Sequence, residues 1–324
     1  MPTPLTMHLA RYRFSFRVTE DLWLPAYAGS ALRGVFGHAL MQLSGLQKRD
    51  IAERNPLYQY SPYAAVFEPD SISSAGIAAK LGDTPVPYII EAPTGQDRHY
   101  QEGKLFSFDM VLIGSALEHL AIIILAWRRA MLRGIGKNNQ GKAELTQVQC
   151  RTDQDKVIYS EYCPLVQSHH TCLEAPLYTQ ASDVSITIST PLRLQQQGKI
   201  LNSREFTPAI FLKHLLRRVL IYLQQQQPEL HTHNMAIELN TLTEQVQGIH
   251  RLKPQKWQRY SNRQRQQINL DGLVGTVELQ QVPAELLPYL YFGQFLHLGK
   301  NTSFGLGNYQ LEASQAYEKQ SLTI

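Results

Sequence analysis

From His8 to Val18 the apolar residues Ala10, Tyr12, Phe14, Phe16 and Val18 alternate with Arg11, Arg13, Ser15 and Arg17. This period of two predicts a half-buried strand with one basic face. After a loop through Pro25, Ser30 is placed to cap a helix in which Leu32, Val35, Phe36, Ala39, Leu40 and Leu43 recur at helical spacing. A second helix is expected from about Leu112 to Leu132, ending at LRGIGKNNQGK, with a strand from Ala143 to Cys150 after it.

The same order recurs downstream. Val184, Ile186 and Ile188 alternate with polar residues, and a helix from about Thr207 to Leu223 carries Ile210, Phe211, His214, Leu215, Val219 and Tyr222. Ala284 to Phe295 reads as a short helix, followed by LGKNTSFGLGN and a strand from Tyr309 to Leu311. Each half therefore runs strand, helix, intervening strands, helix, glycine-rich loop, strand. That is the order of the βαββαβ unit, in which two helices cover one face of a four-stranded antiparallel sheet. The expected class is α+β: two tandem ferredoxin-like, RRM-like domains, residues 1–180 and 181–324, with a glycine-rich loop near the C-terminus. The length of 324 residues suits two such domains.

Charge is concentrated rather than spread. The net charge is only +4, yet RLKPQKWQRYSNRQR, from Arg251 to Arg265, carries Arg251, Lys253, Lys256, Arg259, Arg263 and Arg265 with no acidic residue. The other 309 residues therefore sum to −2. Trp257 and Tyr260 lie inside this run. Cations for phosphates, interleaved with aromatics that stack on bases, meet what single-stranded or looped RNA requires. A solvated strand or loop whose aromatics anchor into the core fits the same letters.

Several classes drop out. The longest apolar run, Leu120 to Trp127, falls far short of the roughly 20 residues that span a bilayer. Arg11 and Arg13 stand where a signal peptide would need its apolar core, so the chain reads as cytoplasmic, with no membrane partner. Cys150, Cys163 and Cys172 bracket His169 and His170, but no C-x-x-C pair occurs. They read as reduced thiols beside a solvated histidine pair, with no metal and no cofactor implied. A small-molecule enzyme would want a phosphate-loop order or a dinucleotide fingerprint, and neither is present.

In GKNTSFGLGN, Gly299, Gly305 and Gly307 would let the backbone approach a ligand closely, while Lys300, Asn301, Thr302 and Ser303 offer polar contacts. Such a loop suits a phosphodiester backbone. A helix C-cap followed by a tight turn explains many glycine loops equally well.

LPAYAGSALRGVFGHAL near the start, WQRYSNRQRQQINLDGLVG in the second half and FLHLGKNTSFGLGNY near the end together resemble the CRISPR-associated endoribonucleases that process precursor CRISPR RNA, within the RAMP superfamily. VFEP at Val66 to Pro69 and PYIIEAP at Pro87 to Pro93 look like that family's first domain. The resemblance implies two ferredoxin-like domains, a glycine-rich loop near the bound RNA and metal-independent cleavage within the CRISPR repeat. It implies CRISPR repeat RNA as partner and leaves room for other CRISPR-associated proteins of an effector or adaptation complex. A catalytically silent subunit that only holds CRISPR RNA is the competing reading.

Metal-free cleavage uses the substrate's 2′-hydroxyl as nucleophile and leaves a 2′,3′-cyclic phosphate and a 5′-hydroxyl. It needs a base, an acid and a cation, and histidine suits the first two roles. Among eleven histidines, His38 on the first helix leads, because the family places a catalytic histidine about there. Tyr27 just upstream is a candidate to bond the scissile phosphate, and Arg33, on a different helix face from His38, to position RNA. His297, directly before the glycine loop and three residues before Lys300, is the second histidine candidate. If the two domains face each other across a cleft, His38 and His297 pair as base and acid, in an order the sequence leaves open. The plainer readings are a helix-face residue for His38 and a structural histidine bonding its own loop for His297. His250, expected to be exposed, reads as a phosphate contact.

Overall fold

The computed structural model describes residues 4–47, 50, 56–67, 85–94, 98–136, 139–261 and 266–312. The fold is mixed α+β. It divides into two compact units. The first comprises Thr6–Leu173 with Ser303–Gly305; the second comprises Met1–Leu5, Glu174–Thr302 and Leu306–Ile324.

The first unit is organised by β1, Thr6–Glu20, whose alternation puts Tyr12, Phe14, Phe16 and Val18 on one face. It pairs antiparallel with β3 (Leu105–Ile113) on one side and β4 (Lys142–Cys150) on the other. β2 (Tyr88–Glu91) and β5 (Lys156–Ser160) extend the sheet to the order β2-β3-β1-β4-β5. Helices α1 (Gly29–Leu43) and α2 (Leu120–Arg133) bury their apolar faces against the aromatic side. Trp127 is the centre of this core: Phe36 stacks on it at 4.8 Å between ring centroids, Phe108 lies at 4.5 Å, and its Nε1 donates to Met110 Sδ.

The opposite face of β1 carries the buried Met7 and Leu9 and then arginines that have carboxylate partners. Arg11 makes a two-pronged bond to Glu91 at 2.5 and 2.6 Å, and Arg13 does the same to Asp109 at 2.8 and 2.9 Å. Arg17 lies 3.8 Å from Glu161. The basic face expected of this strand is therefore a ladder of fork-to-fork ion pairs.

The second unit repeats the strand order. β6 (Ser182–Leu192), β7 (Gln247–Gln255), β10 (Gly272–Val282) and β11 (Tyr309–Glu312) form the sheet β7-β10-β6-β11. Between β7 and β10 the chain makes a separate hairpin, β8 (Gln258–Ser261) with β9 (Gln266–Asn269). Helix α3 (Pro208–Gln226) starts with Thr207 accepting from the Ile210 N–H and proline at its first turn, a standard start signal. α4 (Thr232–Thr243) follows, and α5 (Leu287–Leu296) packs on the sheet, where the Tyr309 hydroxyl donates to the Leu290 carbonyl.

Two local expectations change. The residues from Leu112 are not helical at first: Leu112 and Ile113 finish β3, paired with Ala10 and Leu9, and residues 114–119 form a 3-10 turn before α2. Sheet pairing overrides helical spacing there, and Gly114, at φ +55°, makes the break. α1 begins at Gly29, with Ala28 at its cap and no side-chain cap bond, so Ser30 lies inside the first turn.

Trp127→Ala should cost about 3 to 5 kcal/mol of stability, the range for emptying a large aromatic site in a core. Trp23, 62% exposed and stacked on His99, should cost about 1 kcal/mol or less when replaced by alanine. Urea unfolding of the two variants checks the contrast.

Candidate RNA-processing site

α1 presents His38 to solvent, because Leu32, Phe36, Ala39 and Leu40 take the buried face. One turn further on, Gln42 accepts a hydrogen bond from Arg133 Nη1 of α2. Arg33 points elsewhere. Its Nε donates to the Tyr88 hydroxyl at 2.8 Å, and its guanidinium lies 4.5 Å from the Phe67 ring centre and 5.2 Å from that of Phe304. Burial raises the Tyr88 phenol well above its ordinary pKa, with Arg33 pulling the other way. Tyr27 is buried and donates its hydroxyl proton to the Phe304 carbonyl at 2.9 Å. A side chain at Gly29 would overlap that same carbonyl. Tyr27 and Arg33, expected to meet RNA, are thus engaged with Ser303–Gly305, the piece of the glycine loop that belongs to the first unit.

In the second unit His297 is fully buried at the end of α5, with φ +52°. Its Nδ1–H donates to the Leu306 carbonyl at 3.2 Å, and its Nε2 accepts from the Asn308 side-chain amide at 2.9 Å. Both ring nitrogens are thus bonded within the loop, the arrangement expected of a structural histidine. The Lys300 N–H donates to the Arg193 carbonyl at 3.0 Å while its side chain is exposed. Asn301 is half-buried in a left-handed conformation, Thr302 is buried and accepts from Arg218 Nη2 at 2.8 Å, and Ser303 is half-buried.

The glycines serve the fold. A Cβ at Gly307 would overlap the Leu298 carbonyl oxygen; one at Gly299 would stand 2.6 Å from that of Arg193, and one at Gly305 2.6 Å from that of Ile90. The close approach anticipated for a ligand is made by the chain's own carbonyls.

The basic run divides by position. Arg251 and Lys253 are exposed on β7, the edge strand of the second sheet, and Lys256 is exposed just after it. Trp257 is half-buried; its N–H donates to Asp271 Oδ1 at 2.9 Å and its carbonyl accepts from Leu270, which closes the base of the β8–β9 hairpin. Arg259 and Tyr260 lie on β8, and Arg263 and Arg265 fall outside the described residues. His250, expected in solvent, instead turns inward against Phe206 with ring centres 5.0 Å apart, because it alternates with exposed Ile249 and Arg251.

Around the cysteines, Cys150 is buried, and its thiol is raised above its ordinary pKa by that burial. His169, expected to be solvated, accepts from the Tyr12 hydroxyl at Nε2, 2.8 Å away, and its Nδ1–H donates to the Gln167 carbonyl. Among the described residues no three His, Cys, Asp or Glu side chains converge as metal ligands. Likewise no helix among them is long and apolar enough to cross a membrane.

Residues 5–171 match a family model described as an N-terminal domain, and residues 186–309 match the model of the CRISPR-associated endoribonuclease Cas6. Residues 186–309 thus carry a Cas6 endoribonuclease domain, the kind of CRISPR-processing protein that the sequence motifs resemble. Solved Cas6 structures share the chain's fold. A Cas6 product complex is 13% identical with a TM-score of 0.56, over 94% of this chain and 100% of that one. A partial Cas6-RT-Cas1–Cas2 complex is 15% identical with a TM-score of 0.54, over 95% of this chain and 46% of that one. Cas6 from Thermus thermophilus is 12% identical with a TM-score of 0.50, over 96% and 100%. Comparison with curated protein sequences finds no match.

Arg218 and Asn308, which brace the loop, escaped the sequence reading. The signal for Arg218 was a cation among the apolar positions Leu215, Val219 and Tyr222 of a helix. Tyr27→Phe should cost about 1 to 3 kcal/mol, since it deprives the Phe304 carbonyl of a buried donor. Denaturant unfolding of the purified variant reads this directly.

Proposed function

We propose that this protein binds CRISPR repeat RNA and cleaves precursor CRISPR RNA without a metal ion, by attack of the 2′-hydroxyl on the adjacent phosphate. His38 takes the proton from the 2′-oxygen, the new O–P bond forms as the bond to the 5′-oxygen breaks, and the 5′-oxygen takes a proton from water, after which His38 returns its own proton to solvent. The products carry a 2′,3′-cyclic phosphate and a 5′-hydroxyl. The observation that carries this reading is His38 itself, held outward on a rigid, core-packed helix in a chain that carries a Cas6 endoribonuclease domain.

Lys300, exposed on the braced loop, stabilises charge on the phosphorane or an adjoining phosphate. Arg251, Lys253 and Lys256, together with Arg259, Tyr260, Arg263 and Arg265 of the same basic run, contact the RNA, and Trp257 sets the base of the β8–β9 hairpin. Tyr27 and His297 hold the loop in shape. The reading of two ferredoxin-like domains, 1–180 and 181–324, is supported by the sheet order, which in each sheet places the second, third, first and fourth strands side by side as in the βαββαβ unit. The protein works in the cytoplasm on repeat RNA. Its relatives' structures, a Cas6 product complex and Cas6-RT-Cas1–Cas2 assemblies, support RNA and other CRISPR-associated proteins as the partners to test.

His38→Ala should lower the saturating single-turnover rate on repeat RNA by about 100-fold or more, the usual contribution of a positioned general base, and leave Kd within about twofold. The assay is run in EDTA. A wild-type protein that binds tightly and never cuts would make it a silent RNA-holding subunit.

A further inference from the structure

Arg218 sits on α3 four residues before Tyr222, on the face that also carries Leu215 and Val219. Its Nε donates to the Leu296 carbonyl at 2.8 Å, and its Nη2 donates to Thr302 Oγ1 at 2.8 Å and lies 3.5 Å from the Tyr222 hydroxyl. The guanidinium carbon stands 5.5 Å from the centre of the Tyr222 ring. Leu296 is the last residue of α5, so its carbonyl has no partner within the helix, and a cation there also complements the helix dipole. One side chain therefore grips the loop at both ends of the segment from Leu296 to Thr302. Between the grips, the Lys300 N–H is bonded to the Arg193 carbonyl.

Among the described residues no carboxylate lies within ion-pair distance of Arg218, and its contacts there are a carbonyl, two hydroxyls and an aromatic ring. Burial pulls its pKa below the ordinary arginine value. A half-enclosed cation with only neutral partners carries a desolvation cost that an anion brought to the loop would offset. Contrast Arg11 and Arg13, each answered by a carboxylate.

We propose that Arg218 is a positioning residue for RNA: it fixes the loop so that Lys300 meets a backbone phosphate, and its own charge is balanced by that phosphate. This rests on the reading of the loop as an RNA contact. The energetic signature is coupling, because Lys300 can contribute fully only while the loop is gripped.

The test is the Kd of the full-length protein for repeat RNA, measured across salt concentrations, for Lys300→Ala, Arg218→Ala, Arg218→Lys, Thr302→Val and the double variant Arg218→Ala/Lys300→Ala. Lys300→Ala should weaken binding about tenfold and reduce the salt slope by about 0.7, the value for one contact to a single strand. Arg218→Ala should do at least as much, and adding Lys300→Ala to it should cost less than about twofold more. Arg218→Lys, able to keep one of the two grips, should recover part of the affinity. Thr302→Val removes a single grip and should fall between; it carries the test if Arg218→Ala does not fold. Additive losses in the double variant, or unchanged affinity in a folded Arg218→Ala or Thr302→Val protein, overturn the proposal for Arg218 alone. Wild-type protein that does not bind repeat RNA overturns the reading of the loop as well.

Discussion

At its glycines the loop from Leu298 to Asn308 leaves no room for a side chain. At Gly307 a Cβ would occupy the position of the Leu298 carbonyl, and at Gly305 it would crowd that of Ile90. Once the backbone is pressed this closely on itself, its polar groups must find partners inside the protein. His297, Asn308, Tyr27, Arg218 and Arg193 provide them. A loop that would be mobile by composition is thereby held in one shape before any ligand arrives, and the exposed Lys300 is displayed from a fixed backbone.

The distribution of charge follows a similar economy. Bidentate carboxylates answer Arg11 and Arg13 on β1, so these two arginines add little net charge to the outer face of the first sheet. Its aromatics, Tyr12, Phe14 and Phe16, point the other way, into the core beneath the helices. These three aromatics are therefore not available as the stacking platform by which many sheets of this kind read bases. Exposed cations collect instead on the edge strand and beside the hairpin of the second unit, at Arg251, Lys253 and Lys256. The small net charge conceals that asymmetry.

Much of the fold was legible in the chain because its signals are local. The alternation from His8 to Val18 and the helical spacing from Leu32 to Leu43 each report a buried face directly. The stretch from Leu112 to His119 misled because apolar residues at a strand end, followed by a glycine, imitate a helix until the partner strand is known. The site was legible only in part for the same reason. His38 is exposed by the periodicity of its own helix, so its placement needed nothing distant. Tyr27, Arg33 and His297 looked equally available in one dimension, yet their partners, Phe304 and Asn308, lie elsewhere along the chain or across a turn. Arg218 was invisible because a cation within an apolar helical face declares its role only when its acceptors are in place.

An intramolecular transfer driven by a positioned histidine, as proposed for this protein, leaves its signature in the chemistry of the new RNA ends. Repeat RNA cut in EDTA and analysed by mass spectrometry should yield a 5′ fragment ending in a 2′,3′-cyclic phosphate and a 3′ fragment beginning with a 5′-hydroxyl. A 3′-hydroxyl on the first fragment with a 5′-phosphate on the second would mean that water, and not the 2′-oxygen, attacks phosphorus, and would contradict the role assigned to His38.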